Sequence, residues 1–187
     1  MRNFAKFGCA LLIAALGGCA IQPIDPSKPA SVGSITVDPQ ISWASIKVPT
    51  GPTWTVDGLG LNELHFYPDI ESGRPLVSSA SSDQMPKYDA SMLPDDVAEL
   101  FTGTLGRTGY RQVHATALTP QQFGADTGFT FQLAFTTPDG LEMKGLVLAD
   151  QHAKELDAIL FLAPGEYYFD HYSATVSKLL ASARRNE

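Results

Sequence analysis

The chain has 187 residues, 44% of them hydrophobic and 18% charged, and a net charge of −7. These proportions are typical of a globular protein and exclude a disordered tail, a coiled coil and a disulfide-stapled miniprotein. The two cysteines, Cys9 and Cys19, both lie near the N-terminus. No disulfide, zinc-thiolate site or nucleophilic cysteine is therefore expected in the rest of the chain.

The first 18 residues have the layout of a secretory signal. Arg2 and Lys6 precede an apolar run over residues 7–16. This run is shorter than the roughly 20 residues that a membrane-spanning helix needs. A basic start followed by a short apolar run is typical of a signal peptide. We predict that residues 1–18 are removed.

The run ends in Leu16-Gly17-Gly18-Cys19, which resembles the lipobox of bacterial lipoproteins. The resemblance implies that a lipid is attached to Cys19 and that cleavage leaves this cysteine as the first mature residue. An ordinary secreted protein, or an anchor retained uncut, would not explain why charge, run length, small residues and cysteine follow in this order. Ala20 stands where aspartate would resemble an inner-membrane retention signal. In a host with two membranes, the outer membrane and its periplasmic face are therefore predicted.

The mature chain is predicted to be a tether followed by one domain. Residues 19–34 comprise the lipidated cysteine and a stretch with Pro23, Pro26 and Pro29, which indicates a polyproline spacer or a plain linker. Residues 35–187 form the globular domain. Cleavage leaves 11 basic against 20 acidic residues. Nucleic acid and anionic headgroups are therefore poor partners, and membrane contact is expected through the lipid on Cys19 alone.

Short strands are predicted from Ile35 to Tyr67, followed by a Ser-rich loop over residues 78–93. A helix begins at Pro94, and its apolar stripe ends before Gly106 and Gly109. Tyr110 to Ala117 is predicted as a strand, and Thr119 to Phe123 as a turn or short helix. The elements after these are strands over residues 127–137, 141–149 and 156–162, the first two joined by a turn at residues 137–140.

The last predicted element is a long amphipathic helix. Its apolar residues recur every three or four positions from Phe169 to Ala183, and Arg184 and Arg185 would complement its C-terminal dipole. We therefore predict an α+β fold, with an antiparallel sheet covered by two main helices, the C-terminal one long and amphipathic.

The order of these elements resembles the PsbP-like α/β/α fold over residues 45–185. The resemblance lies in the strand pair from Phe129 to Ala149, the buried strand ending at Ala163-Pro164, and the aromatic-led helix that runs from Tyr167-Tyr168-Phe169 to Arg184. It implies a non-enzymatic assembly, binding or accessory role, and it brings no catalytic residues.

Several polar groups are candidate sites. Glu63, His65 and Tyr67 share a strand face, where a carboxylate and an imidazole could bind a metal or exchange a proton, but a solvated face is the simpler prediction. His114 and His152 are predicted to lie at the surface.

A second group lies in the last helix. Asp170, His171 and Ser173 are too close in sequence for a catalytic triad, because neighbours on a helix point about 100° apart. Gly58-Leu59-Gly60 lacks the rest of a phosphate loop and indicates a turn.

The aromatic residues divide into two sets. Phe129, Phe131 and Phe135 alternate along one strand and are predicted to be core beneath a helix. Tyr167, Tyr168 and Tyr172 form a wider stripe that could leave phenol groups at a groove or partner surface. No cofactor, metal or catalytic residue is predicted, and Cys19 is the one assigned site.

The sequence favours an outer-membrane-anchored periplasmic lipoprotein that binds or assembles with an envelope protein partner, with any small ligand unknown. The alternative is an envelope hydrolase acting on cell-wall or lipid substrates. That alternative requires His65, His152 or His171 to meet carboxylates in a deep pocket.

Overall fold

The computed structural model describes residues 21–48, 51–77 and 84–186. The predicted signal peptide, the motif at residues 16–19 and part of the Ser-rich loop lie outside these residues. The described residues form eleven strands and two helices. The strands are β1 (Gln22–Ile24), β2 (Ala30–Val32), β3 (Ile35–Val37), β4 (Trp43–Val48), β5 (Gly51–Thr55), β6 (Glu63–Glu71), β7 (Arg111–Phe123), β8 (Asp126–Thr136), β9 (Glu142–His152), β10 (Glu155–Pro164) and β11 (Arg184–Arg185). The helices are α1 (Pro94–Arg107) and α2 (Tyr168–Ala181).

Eight strands form one antiparallel sheet in the order β1-β4-β5-β6-β10-β9-β8-β7, and a small second sheet has the order β11-β3-β2. Strand β10 lies at the centre of the large sheet and nearly all of its residues are buried. This confirms the prediction of a central strand over residues 156–162, which followed from its apolar residues on both faces. The turn predicted at residues 137–140 is also present, since the Gly140 N–H donates to the Thr137 carbonyl at 3.0 Å.

The core lies on both faces of the large sheet. On one face, Phe101 of α1 packs edge-on against Phe131 with ring centroids 5.6 Å apart. On the other face, Phe169 of α2 lies 5.9 Å from Phe161, and the small sheet shares this second core through Ile35 and Val37. Phe129, Phe131 and Phe135 are all buried, so their prediction as core is confirmed.

The predicted α+β fold with a helix-covered sheet and a long C-terminal helix is wrong, because the protein is mostly β. Each helix has only 14 residues. Such a helix is about 21 Å long and roughly 10 Å wide, whereas eight strands spaced by about 4.8 Å extend over about 34 Å. Each helix therefore covers only a part of its sheet face. The predicted helix is too long because Ala183 fits its apolar stripe. Ala183 is buried, but it lies in an irregular turn after the end of α2.

Two further stretches were mispredicted as non-strand. Residues 22–24 pair with β4 and residues 30–32 pair with β3, so the predicted tether is wrong for this stretch, and the first strand among the described residues begins at Gln22. Residues 119–123, predicted as a turn or short helix, belong to the 13-residue edge strand β7. Strand β7 contains register shifts within residues 111–119, which explains why its apolar residues do not alternate regularly.

Helix α1 begins and ends where the sequence predicts. The carboxylate of Asp96 accepts a hydrogen bond from the Leu93 N–H at 2.8 Å, which satisfies a backbone donor at the start of the helix. Val97, Leu100, Phe101 and Leu105 are buried. Among the described residues, no helix is long and apolar enough to cross a bilayer.

Candidate functional site

Glu63 and His65 form a hydrogen-bonded pair at the start of β6. Nε2 of His65 lies 2.8 Å from Oε2 of Glu63, and Nδ1 of His65 lies 3.1 Å from the hydroxyl of Thr53. An ionised carboxylate only accepts hydrogen bonds, so Nε2 carries the proton in this arrangement. The Gly60 N–H donates to Oε1 of Glu63 at 2.6 Å. The prediction of a solvated strand face is therefore wrong, and both ring nitrogens of His65 have partners.

The charge of Glu63 affects its neighbours. Burial raises the pKa of Glu63, but the hydrogen bond and charge of His65 and the Gly60 N–H together lower it below its ordinary value. Burial and the nearby carboxylate raise the pKa of Tyr110, and burial raises the pKa of Tyr67 more strongly. The acid is thus held ionised while both phenols are held neutral.

A cavity of about 180 Å³ lies beside this pair and is lined by Gly60, Glu63, Tyr110 and Asp139 among others. Pockets for drug-sized ligands usually have about 300 to 1,000 Å³. The cavity is thus suited to water or a small polar group. The Glu63 carboxylate and the Tyr110 phenol provide an acceptor and a donor there.

The loop before β6 is organised by Asn62, which is fully buried. Its Oδ1 accepts hydrogen bonds from the Thr55 hydroxyl and from the N–H of Val56, at 3.0 and 2.7 Å. Its Nδ2 donates to Oδ2 of Asp57 at 2.6 Å. Gly58 and Gly60 have φ of 120° and 85°, which favours glycine. The prediction that Gly58-Leu59-Gly60 is a turn is confirmed.

This loop is also attached to α2. The hydroxyl of Tyr172 donates to Oδ2 of Asp57 at 2.6 Å. Burial, followed by this hydrogen bond and the Asp57 charge, raises the pKa of Tyr172 to about 12. Tyr172 therefore belongs to the interior, whereas Tyr167 on the same predicted stripe is 60% exposed.

A second polar network surrounds Arg185. Its Nε donates to Oδ2 of Asp157 at 2.7 Å, and its Nη2 lies 3.0 Å from Oδ2 of Asp150. Both carboxylates are almost fully buried. Burial raises the pKa of Asp150 despite the attraction of Arg185. Oδ1 of Asp157 also accepts hydrogen bonds from the Ser34 hydroxyl and the Asp69 N–H.

The sequence pattern does not predict this network. The pattern places Arg184 and Arg185 at the end of a longer helix, whereas they lie in β11, where Arg185 binds buried acids. The available signal was Asp157, an acid within an otherwise apolar strand. A buried charge of this kind requires a partner.

The other predicted polar residues lie apart from these networks. His114 and His152 are exposed, as predicted, and Nδ1 of His152 is 3.8 Å from Oδ2 of Asp126. His171 stacks on Tyr167 with ring centroids 5.3 Å apart. Asp170 lies 3.6 Å from Nζ of Lys144, and the Ser173 hydroxyl bonds to the Asp170 carbonyl. No triad geometry occurs in this stretch of helix.

The sheet register keeps two of the histidines apart. His65 pairs with Leu160 of β10, whereas His152 pairs with Glu155. Five residues of strand correspond to about 17 Å. The His65–Glu63 pair and the His152–Asp126 pair are therefore separate. Within the described parts of the chain, no three His, Cys, Asp or Glu side chains form a group that could hold a metal ion.

A wider open groove of about 360 Å³ runs beside α2 over the starts of β7 and β9. Its polar lining comprises Gln112, His114, Thr136, Glu142, Lys144 and Glu166. Nζ of Lys144 lies 3.6 Å from Oδ1 of Asp170 and 5.5 Å from the ring centroid of Phe169. The groove thus presents acidic side chains around the cation of Lys144.

No protein-family model matches this sequence, and no curated protein matches it. The structure is similar to the solution structure of cyanobacterial PsbP (CyanoP) from Synechocystis sp. PCC 6803, with a TM-score of 0.57 and 12% sequence identity. The match covers 93% of this chain and 97% of that chain. The domain therefore has a PsbP-like fold, as the element order predicted. At this identity the likeness concerns the fold alone.

Proposed function

We propose that this chain is a lipoprotein of the bacterial outer membrane, anchored on the periplasmic side by a lipid on Cys19. Its PsbP-like domain binds an envelope protein and assists assembly there, without catalysing a reaction. The observation that carries the proposal is the motif Leu16-Gly17-Gly18-Cys19 at the end of a short apolar run behind Arg2 and Lys6.

The start of the fold supports this proposal. Strand β1 begins at Gln22, three residues after Cys19. A signal peptidase would thus cut immediately before the folded domain, and the lipid would hold that domain close to the bilayer. The acidic surface of the mature chain also favours anchoring by lipid over electrostatic binding to anionic headgroups.

The open groove beside α2 is the binding surface that we propose. A cation held between Asp170 and Phe169, with Glu142 and Glu166 nearby, is suited to a polar segment of a partner protein. Interfaces of this kind gain specificity from charge complementarity. Reversal of the central cation should therefore weaken the complex.

Crosslinking and pull-down from isolated envelopes test the proposal, with wild type, Cys19→Ala and Lys144→Glu compared. Lys47→Glu is the control, since Lys47 is an exposed lysine on β4 away from the groove. We expect the wild type and Lys47→Glu to sediment with outer membranes and capture a defined partner. Cys19→Ala should no longer sediment with outer membranes. Lys144→Glu should still sediment with them but should not capture the partner.

Two results would contradict the proposal. If Cys19→Ala sediments with outer membranes as the wild type does, the anchor is wrong. If the anchored wild type captures no partner but cleaves cell-wall or lipid material, the proposed binding role is wrong and the protein is an envelope hydrolase.

A further inference from the structure

The cavity beside Glu63 combines carboxylates with an apolar wall. Its volume is about 180 Å³. Met143 and Leu162 line it as buried side chains, whereas Leu141 and Asp139 are exposed residues of its lining. Among the described residues that line this cavity, none is a lysine or an arginine. The described part of the wall therefore supplies no fixed cation to the Glu63 carboxylate.

The Glu63 carboxylate is oriented by its hydrogen bonds but is not saturated by them. Oε2 accepts from Nε2 of His65 at 2.8 Å, and Oε1 accepts from the Gly60 N–H at 2.6 Å. An ionised carboxylate has about four acceptor positions, so about two remain free of these bonds. An imidazole that donates from Nε2 and accepts the Thr53 hydroxyl at Nδ1 is uncharged. The pair then keeps the negative charge of Glu63.

Tyr110 is affected by this charge. It lines the cavity, and its ring packs against Phe135 with centroids 4.7 Å apart. Burial, followed by the charge of Glu63, raises the pKa of the Tyr110 phenol. An electrostatic environment that disfavours a second anion favours a cation. The oxygen of a neutral phenol is also a hydrogen-bond acceptor, so Tyr110 can bind the same cation as Glu63.

Buried hydrogen bonds fix the loop on one side of the cavity. Asn62 is fully buried and donates to Asp57 at 2.6 Å. Tyr172 donates to the same carboxylate oxygen, which joins the loop to α2. Gly60 of this loop is thereby held against Glu63. A site that is ordered in advance loses less conformational entropy when a ligand binds.

We propose that this cavity binds a primary alkylammonium group. The nitrogen donates to the Glu63 carboxylate and the Tyr110 hydroxyl, and the aliphatic stem lies along Leu141 and Met143. A compact ammonium can reach separate acceptors, whereas a planar guanidinium requires a parallel pair of acceptors. A lysine side chain and a small free amine share this chemistry. The proposal goes beyond the groove beside α2 and does not depend on a lipid at Cys19.

NMR titration of the purified protein with n-butylammonium tests this site, with n-butanol as the uncharged probe of equal chain length. The titration is made at about pH 8, where an ordinary imidazole is uncharged. The Gly60 amide reports binding, because its N–H donates to the carboxylate of Glu63. The Gly73 amide, which donates to the Tyr88 carbonyl, is the control. We expect n-butylammonium to shift the Gly60 amide saturably and to leave Gly73 in place, and we expect little effect of n-butanol.

Two variants locate the bound cation. Glu63→Gln should weaken n-butylammonium binding about ten-fold or more, as for the loss of a hydrogen bond to a charged group. Glu71→Gln removes the same charge from the exposed end of β6 and should bind as the wild type does. Acetyl-Gly-Lys-Gly-amide identifies the source of the ammonium. Competition with n-butylammonium would assign the site to a lysine side chain, and its absence would assign the site to a free amine.

Two results would overturn the proposal. One is an equal response of the wild-type Gly60 amide to n-butylammonium and n-butanol, a comparison that needs no variant to fold. The other is equal affinity of Glu63→Gln and Glu71→Gln for n-butylammonium, which would show that the cation binds elsewhere on the acidic surface.

Discussion

The guanidinium of Arg185 is hydrogen-bonded to the carboxylate of Asp157, with 2.7 Å between Nε and Oδ2. Asp157 lies in the central strand β10 and its side chain is 1% exposed. Strand β11 pairs with β3, so this contact joins the small sheet and the end of the chain to the middle of the large sheet. Removal of the guanidinium would leave Asp150 and Asp157 buried without their cation.

Arg185→Ala should therefore lower the free energy of unfolding by about 3 to 5 kcal/mol, the usual cost of breaking a buried ion pair. Arg184→Ala is the matched control, because the pair of Arg184 with Asp38 is exposed and should contribute less than about 1 kcal/mol. Urea unfolding of both variants measures the difference. Equal losses for the two arginines would show that the buried network is not stabilising.

Glu63 should make stability depend on pH. Although burial raises its pKa, His65 and the Gly60 N–H lower it below 4.5 in the folded chain. An acid whose pKa is lower in the folded chain than in the unfolded chain stabilises the fold fully above its unfolded pKa. That contribution is lost as pH falls through the folded pKa. Glu63→Gln should therefore cost about 1 kcal/mol at pH 7, and this cost should decline as pH falls from the ordinary pKa of glutamate through the lower folded pKa of Glu63.

Glu71→Gln provides the control for this pH series, because Glu71 is exposed at the other end of β6. Thermal or urea unfolding from pH 3 to pH 7 gives the comparison. A cost for Glu63→Gln that stays constant across this range would show that the Glu63 carboxylate is not held ionised by His65.

The hydroxyl of Tyr172 should stabilise the loop over residues 56–62. Tyr172→Phe removes its hydrogen bond to Asp57 and should cost about 1.5 to 3 kcal/mol, as for a hydrogen bond to a charged group. Tyr167→Phe removes a hydroxyl from an exposed ring and should cost less than about 0.5 kcal/mol. Chemical unfolding tests both, and indistinguishable stabilities would contradict this assignment.

Two glycines should respond in opposite ways to alanine. A Cβ at Gly128 in β8 would clash with the Ala149 carbonyl oxygen, whereas one at Gly106 in α1 meets nothing within 4 Å. Gly128→Ala should lower the melting temperature by several degrees because strand backbone must move. Gly106→Ala should raise stability by about 0.5 to 1 kcal/mol through helix propensity. A neutral Gly128→Ala would contradict the close approach of the two strands.

Much of the fold could be predicted where the determinants are local. Helix α1 follows from Pro94 and a regular apolar stripe, and the β8–β9 hairpin follows from its turn residues. The small sheet could not be predicted in this way, since β11 and β3 are joined across most of the chain. Pro23 also indicated a tether, although a proline is tolerated in an edge strand such as β1.

The candidate site was only partly predictable. Alternation placed Glu63 and His65 on one face of β6, but their hydrogen bond depends on Thr53 of the neighbouring strand, which no local pattern reveals. No local pattern predicts the role of Asn62, because a single amide in a loop carries no periodic signal. Asp157 within an apolar strand was the one visible sign of the Arg185 network.

The intact mass of the mature protein, isolated from outer membranes, decides whether Cys19 carries a lipid. We expect a chain that begins at Cys19 and carries the additional mass of a diacylglyceryl group, while Cys19→Ala lacks this mass and leaves the membrane fraction. A wild-type chain with an unmodified Cys19, or one cleaved at another residue, would show that the proposed anchor is wrong.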